Sequence, residues 1–205
     1  MSLPQAPSGD AKQGTPDAPQ IEGTLPAALT PLIGRQEEIT RISRVLRERA
    51  ARLLVLTGPG GVGKTRLALA IAEATSDAYQ DGVALVNLGP VITSDGVLPA
   101  ISAVLGVREA SQDHLYAAVR ESLNNREMLL VLDNFEQVVE AAPILTDLLT
   151  VSPALTILVT SRSVLGVYGE FVFPVPPMKV PATTESSMET IESSEAVQLF
   201  VNRVR

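Results

Sequence analysis

RLLVLTGPGGVGKTRLALAIAEA, residues 52–74, decides the fold. A run of apolar residues, LLVLT, enters a turn made largely of glycine. A run rich in alanine and leucine leaves it, so the order is strand, tight turn, helix. Within the turn Gly58, Gly63, Lys64 and Thr65 satisfy G-x-x-x-x-G-K-[ST]. Glycine at 58, 60, 61 and 63 lets backbone N–H groups converge through conformations that a side chain would obstruct, and the concavity they form suits an anion. A lysine directly after it adds a positive charge, and the start of the helix adds the favourable end of its dipole. The stretch reads as a cradle for phosphate.

Phosphate held this way calls for a divalent cation, and the cation for a second acid opposite the loop. MLLVLDN, 128–134, supplies it: an apolar strand delivers Asp133 to its carboxyl end, where ligands of parallel sheets bind. Thr65 and Asp133 are therefore the expected Mg²⁺ ligands, and Lys64 is expected to reach the β- and γ-phosphates as a solvated point charge. TILVTSR, 156–162, repeats the device and places Ser161 and Arg162 at the end of another strand, where a guanidinium can contact a γ-phosphate. Behind Asp133 come Asn134, Phe135 and Glu136. Asparagine cannot accept a proton, which leaves Glu136 as a displaced candidate base. The catalytic set is Lys64, Asp133, Arg162 and Glu136. The loop contributes Gly58, Pro59, Gly60, Gly61, Val62, Gly63, Lys64, Thr65 and Arg66 to nucleotide binding, with Arg162 joining them from its own strand.

The rest of the chain fits one layered domain. Apolar runs begin at 53, 83, 128, 156 and 171, and helical patterns cover about 36–50, 64–75, 95–105, 111–124 and 137–149. Strands that alternate with helices predict a parallel sheet covered on both faces. On the first helix, Glu37 with Arg41 and Arg44 with Glu48 are spaced for ion pairs along an outer face. Interleaved glutamates make its arginines an ion-paired surface. Residues 1–28 are rich in Pro, Gly, Ser and Thr and read as a linker, 29–180 as the nucleotide-binding domain, and 181–205 as a connector and the first helix of a truncated lid, with Ser193 or Ser194 at its N-cap.

Composition excludes several function classes. There is no cysteine and one histidine, His114, so neither a disulfide framework nor a thiolate or histidine-cluster metal site is available. The net charge of −7 opposes unspecific attraction to nucleic acid, so this segment is not expected to bind it directly. No apolar run approaches the roughly 20 residues that span a bilayer, and a soluble, cytoplasmic protein without membrane contact is expected. His114 and Glu170 read as a solvated helix residue and a turn residue.

Taken together the motifs resemble the signal-transduction ATPases with numerous domains (STAND class), close to the NB-ARC type and to bacterial predicted ATPases attached to transcriptional regulators. The likeness spans residues 29–205. LIGRQEE, 32–38, is similar to the family's h-h-G-R-E-x-E element, with Gln36 in place of the first glutamate. LLVLDNFE, TSR and VFPVPPM are similar to its acid strand, its arginine sensor and the segment leading to its lid. The resemblance implies that Leu32, Ile33, Gly34 and Arg35 line an adenine. It implies a three-layer αβα sandwich of the P-loop NTPase kind, with five parallel strands ordered 5-1-4-3-2. ATP or ADP with Mg²⁺ is the implied cofactor, and a helical lid, a winged-helix domain and sensor repeats are the implied partners of a longer regulator. The expected function is a nucleotide-dependent switch with slow ATP hydrolysis. A motor of the AAA+ type and a metabolic P-loop kinase are the alternatives. A kinase would show an arginine-rich lid and an acceptor pocket, and a guanine-specific GTPase an N/T-K-x-D stretch; neither feature is present.

Overall fold

Three strands are buried along their whole length, β1 (Leu53–Thr57), β3 (Leu129–Asp133) and β4 (Thr156–Ser161). Strands apolar on both faces belong in the middle of a covered parallel sheet, and that is their place. The order is β2 (Val83–Asn87), β3, β4, β1, β5 (Glu170–Pro174), all neighbours parallel, as the resemblance implies. The computed structural model describes residues 25–26, 32–108, 112–178 and 194–204. Most of the linker at 1–28 and of the connector after 180 lies outside the described residues.

Alternate residues of each strand feed opposite layers. Leu53, Val55, Leu130, Leu132, Ile157 and Val159 pack against α3 (Val97–Val104), α4 (Gln112–Leu123) and α5 (Ala142–Val151). Leu54, Leu56, Leu129, Val131 and Leu158 pack against α1 (Gln36–Arg47) and α2 (Lys64–Thr75). Each such leucine or valine, fully buried, contributes about 1.5–3 kcal/mol. The result is the three-layer αβα sandwich. Of the described helices none is long and apolar enough to cross a membrane.

Two helices start later than their pattern suggests. The apolar period begins at 137, but Phe135–Gln137 and Val139–Ala141 are 3₁₀ turns and α5 begins at Ala142. Pro143 explains the shift, because a proline lacking its N–H is tolerated only in the first turn. Pro99 acts in the same way on α3, which follows a 3₁₀ turn at Ser94–Gly96. The first helix closes at Arg47 rather than Ala50, where Arg49 adopts φ 51° and Ala50 N–H returns to Val45 C=O. Helix α6 (Glu195–Val204) follows Ser194, whose C=O accepts the first helical bond from Gln198 N–H at 2.9 Å.

The ion-paired face expected on α1 is also corrected. Arg47 pairs with Asp77, Arg49 with Glu127 and Arg35 with Glu38, while Arg41 lies over the ring of Phe173. Arg52 bonds the carbonyls of Leu149, Ser152 and Pro153 behind α5. Among the described residues neither Glu37–Arg41 nor Arg44–Glu48 forms an ion pair, and docking the helix gave Arg41 and Arg47 partners from other elements.

Candidate functional site

Thr57 stands in register with Ser161, and Leu132 with Val159, so the glycine turn after β1, Asp133 and Arg162 emerge on one carboxyl edge. Backbone geometry accounts for the glycines. Gly58 has φ 152°, and a Cβ there would lie 3.1 Å from the carbonyl oxygen of Val175. Gly63 has φ 94° and occupies the N-cap of α2. That helix begins with no side-chain cap and no acid in its first turn, so its leading N–H groups are left to an anion. A Cβ at Gly60, Gly61 or Gly63 meets nothing within 4 Å, which leaves space above the loop.

Lys64 departs from the sequence expectation. It is not a solvated point charge: its side chain is buried at 8% exposure and Nζ donates to the carbonyls of Gly58, at 2.8 Å, and Pro59, at 3.1 Å. The ammonium closes the loop that it follows, because a buried cation needs acceptors.

Thr65 and Asp133 are brought together as expected. Thr65 Oγ1 donates to Asp133 Oδ1 at 2.8 Å, and Asp133 is 7% exposed. A third residue, missed in the sequence, completes the cluster. Thr160 Oγ1 donates to the same Oδ1 at 2.5 Å and accepts from Asn134 N–H at 3.0 Å. Its signal was present in TILVTSR: a hydroxyl in an otherwise apolar, wholly buried strand needs a polar partner. Asn134 itself takes a left-handed conformation, φ 64° and ψ 45°, which turns the chain into the 3₁₀ turn that carries Glu136.

Arg162 and Glu136 meet. Arg162 Nε donates to Glu136 Oε1 at 3.0 Å, with the arginine side chain 67% exposed and the glutamate 13%. Glu170 closes the preceding loop, its two carboxylate oxygens accepting from Leu165 N–H and Gly166 N–H. His114 is an exposed residue of α4.

Two cavities flank Arg35. The one built by the loop measures about 410 Å³ and is lined by Leu32, Arg35, Pro59 to Gly63 and Arg66 on one side, and by Pro177, Met178 and Leu199 on the other. The larger, about 610 Å³, lies between the start of α1 and β5 and includes Gly34 but no loop glycine. Ile33 lines neither. Arg35, with φ 67°, is 3% exposed; its guanidinium donates to Glu38 Oε1 at 2.8 Å, Pro176 C=O at 2.6 Å and Val62 C=O at 3.4 Å. It braces the loop against the segment after β5, which sequence reasoning did not foresee.

These residues fit a magnesium nucleotide. Asp133 and Thr65 are hard oxygen donors held in contact, and Mg²⁺ takes one or two protein oxygens together with phosphate and water rather than an all-protein cage. The described residues contain no group of three or more His, Cys, Asp or Glu able to hold a metal ion. The first cavity suits a base or ribose beside the loop, being apolar at Leu32, Pro177, Met178 and Leu199.

Comparison with known proteins agrees with the geometry. The AAA domain family model matches residues 47–163, more than half of the chain. A protein of Mycobacterium tuberculosis with the provisional name HTH-type transcriptional regulator is 40% identical over 154 residues, 74% of this chain and 16% of that protein. Regulatory protein AfsR of Streptomyces coelicolor is 29% identical over 137 residues, 59% of this chain and 14% of AfsR. The chain thus spans only about a sixth of these relatives' length. Among solved structures, the Aeropyrum pernix ORC1 protein, determined in complex with DNA, aligns with a TM-score of 0.59 at 20% identity, over 82% of this chain and 50% of that one, a likeness of fold alone. With the loop, the acid and the strand order in place, the chain belongs to the AAA domain family, and its core is that of a P-loop ATPase of the STAND/AAA+-like kind.

Proposed function

We propose that this domain binds Mg·ATP and ADP as the switch module of a transcriptional regulator, with slow hydrolysis resetting its state. The observation that carries the reading is the contact of Thr65 Oγ1 with Asp133 Oδ1, which joins the loop to the acid strand across 68 positions of sequence. Lys64 donates to two loop carbonyls, which phosphate oxygens can replace as acceptors. Thr65 and Asp133 hold Mg²⁺, which when bound neutralises phosphate charge as a Lewis acid. Leu32 and Arg35 with the loop, and Pro177, Met178 and Leu199 across from them, enclose the adenosine.

Leu199 belongs to α6, so occupancy of the cavity is felt by a helix outside the sheet. That supports a switch more than a metabolic kinase. Similarity to an HTH-type transcriptional regulator and to regulatory protein AfsR supports the regulator context.

Titration calorimetry with Mg·ADP tests it. The unsubstituted protein binds, and Lys64→Ala loses at least tenfold in affinity, the size of one charge-assisted hydrogen bond of about 1.5–3 kcal/mol. Equal affinity of the two proteins would refute the site.

A further inference from the structure

We infer that Glu136 is a positioning residue for Arg162, and that through it this chain distinguishes a nucleoside triphosphate from a diphosphate. The inference rests on the nucleotide reading above and assigns a role to a carboxylate that the mechanism does not otherwise use.

Three observations support it. Glu136 is held in place by its neighbours: Asn134 turns left-handed, Phe135 is fully buried, and the 3₁₀ turn between them and Gln137 points the glutamate back toward the end of β4. Its carboxylate is 13% exposed and accepts Arg162 Nε at 3.0 Å through Oε1, while Oε2 is buried with no hydrogen-bond partner among the described residues. A buried carboxylate oxygen without a donor is costly, and the bond from Arg162 to the other oxygen is what holds this carboxylate in place.

Arg162 is the opposite case. It is 67% exposed, and among the described residues it makes no hydrogen bond other than Nε to Glu136. An exposed arginine samples many rotamers, and a bond to Nε removes most of that freedom while leaving both Nη groups as donors. Arg162 follows Ser161, which is in register with Thr57 immediately before the glycine loop. The backbone of Arg162 therefore leaves the sheet beside the start of the glycine loop, from where its fork can reach the charge that a third phosphate adds. A diphosphate lacks that group and gains nothing from the fork.

The alternatives predict different binding. Were Glu136 the general base, its removal would slow hydrolysis and leave triphosphate affinity unchanged. Were it a competitor that keeps Arg162 from the phosphate, its removal would tighten triphosphate binding. A positioning residue weakens triphosphate binding on removal and leaves diphosphate binding alone.

The test measures affinities of the full 205-residue chain for Mg·ADP and for the Mg complex of a non-hydrolysable β,γ-imido ATP analogue, in the parent, Glu136→Ala, Arg162→Ala and the double variant. The expected result is unchanged ADP affinity, a fall of about tenfold in the analogue-to-ADP preference in each single variant, and no further fall in the double variant, since the two side chains act as a unit. Glu136→Gln keeps an oxygen acceptor for Nε and is expected to recover part of the preference. A ratio that is unchanged or raised in Glu136→Ala, or additive losses in the double variant, overturns the inference while ADP binding upholds the site. Loss of ADP and analogue binding together in Glu136→Ala marks a structural role and also overturns it. Failure of the parent to bind ADP overturns the nucleotide reading, and this inference with it.

Discussion

The hydroxyl of Thr65 donates to the carboxylate of Asp133 at 2.8 Å, although one residue begins a helix and the other ends a strand two positions away in the sheet. Strand β4 separates them, and its Thr160 donates to the same carboxylate oxygen. The acid is thus fixed from two sides, toward the loop and toward the strand that carries Arg162. Such pre-set geometry is what a site needs when charge must be stabilised rather than covalent chemistry performed.

The loop backbone should be sensitive at one glycine and tolerant at another three positions earlier. Gly63→Ala forces φ 94° on an L-residue and is expected to cost about 1–3 kcal/mol, although its Cβ meets nothing within 4 Å. Gly60, outside the left-handed region and also in open space, should accept alanine within about 0.5 kcal/mol. Urea unfolding of the two variants against the parent measures the difference, and equal losses would show that φ is not the cause.

Arg52 should matter to stability more than its place at a strand entrance suggests. Its Nη1 donates to Leu149 C=O at 2.8 Å and to Ser152 and Pro153 C=O, each at 3.2 Å, so it caps the carboxyl end of α5. Arg52→Ala leaves those carbonyls without a cationic donor and is expected to cost about 1–2 kcal/mol, which lowers Tm by several degrees. Arg52→Lys, lacking the planar fork, should recover only part.

Tyr79 sets an alkaline limit. Burial raises its phenol above the ordinary value, an effect tempered by the nearby Thr156 hydroxyl and then by Arg49 and Arg47. The Tyr79 hydroxyl still has no hydrogen-bond partner in proper geometry among the described residues. Because the folded state favours the protonated phenol, the unfolded chain releases this proton first, from about pH 10 upward. The stabilisation is whole below that pH and is lost as pH climbs through the higher folded value. Tyr79→Phe should be neutral or slightly stabilising at pH 7 and should flatten the decline above pH 10 in thermal melts. A steeper decline would contradict this account.

Turnover should be slow. Asn134 follows Asp133 where a proton acceptor would be useful, and the nearby carboxylate, Glu136, is tied to Arg162. Losing general-base assistance costs about 10²–10⁴ in rate, so phosphate release at saturating Mg·ATP is expected well below about 1 per second. Sustained release above that rate, abolished in Lys64→Ala, would mark a working ATPase instead of a switch.

The sequence by itself determined the sheet and the loop. Apolar runs at 53, 83, 128, 156 and 171 that alternate with helical patterns call for a parallel sheet covered on both faces, and the spacing of Gly58, Gly63, Lys64 and Thr65 encodes a local backbone shape that no distant contact has to supply. Asp133 and Arg162 were legible for the same reason, each standing at the end of such a run. The order of the strands did not follow from these runs and was reached only through the family resemblance. What only the tertiary structure decided were the partners: Lys64 on its own loop carbonyls, Thr160 beneath Asp133, Arg35 between Val62 and Pro176, and Arg162 on Glu136. Each of these is a polar group whose acceptor or donor comes from another turn or strand. Hydrophobic period records which face of an element is buried, but a side-chain hydrogen bond depends on distances of a few tenths of an ångström that exist only once the layers have packed.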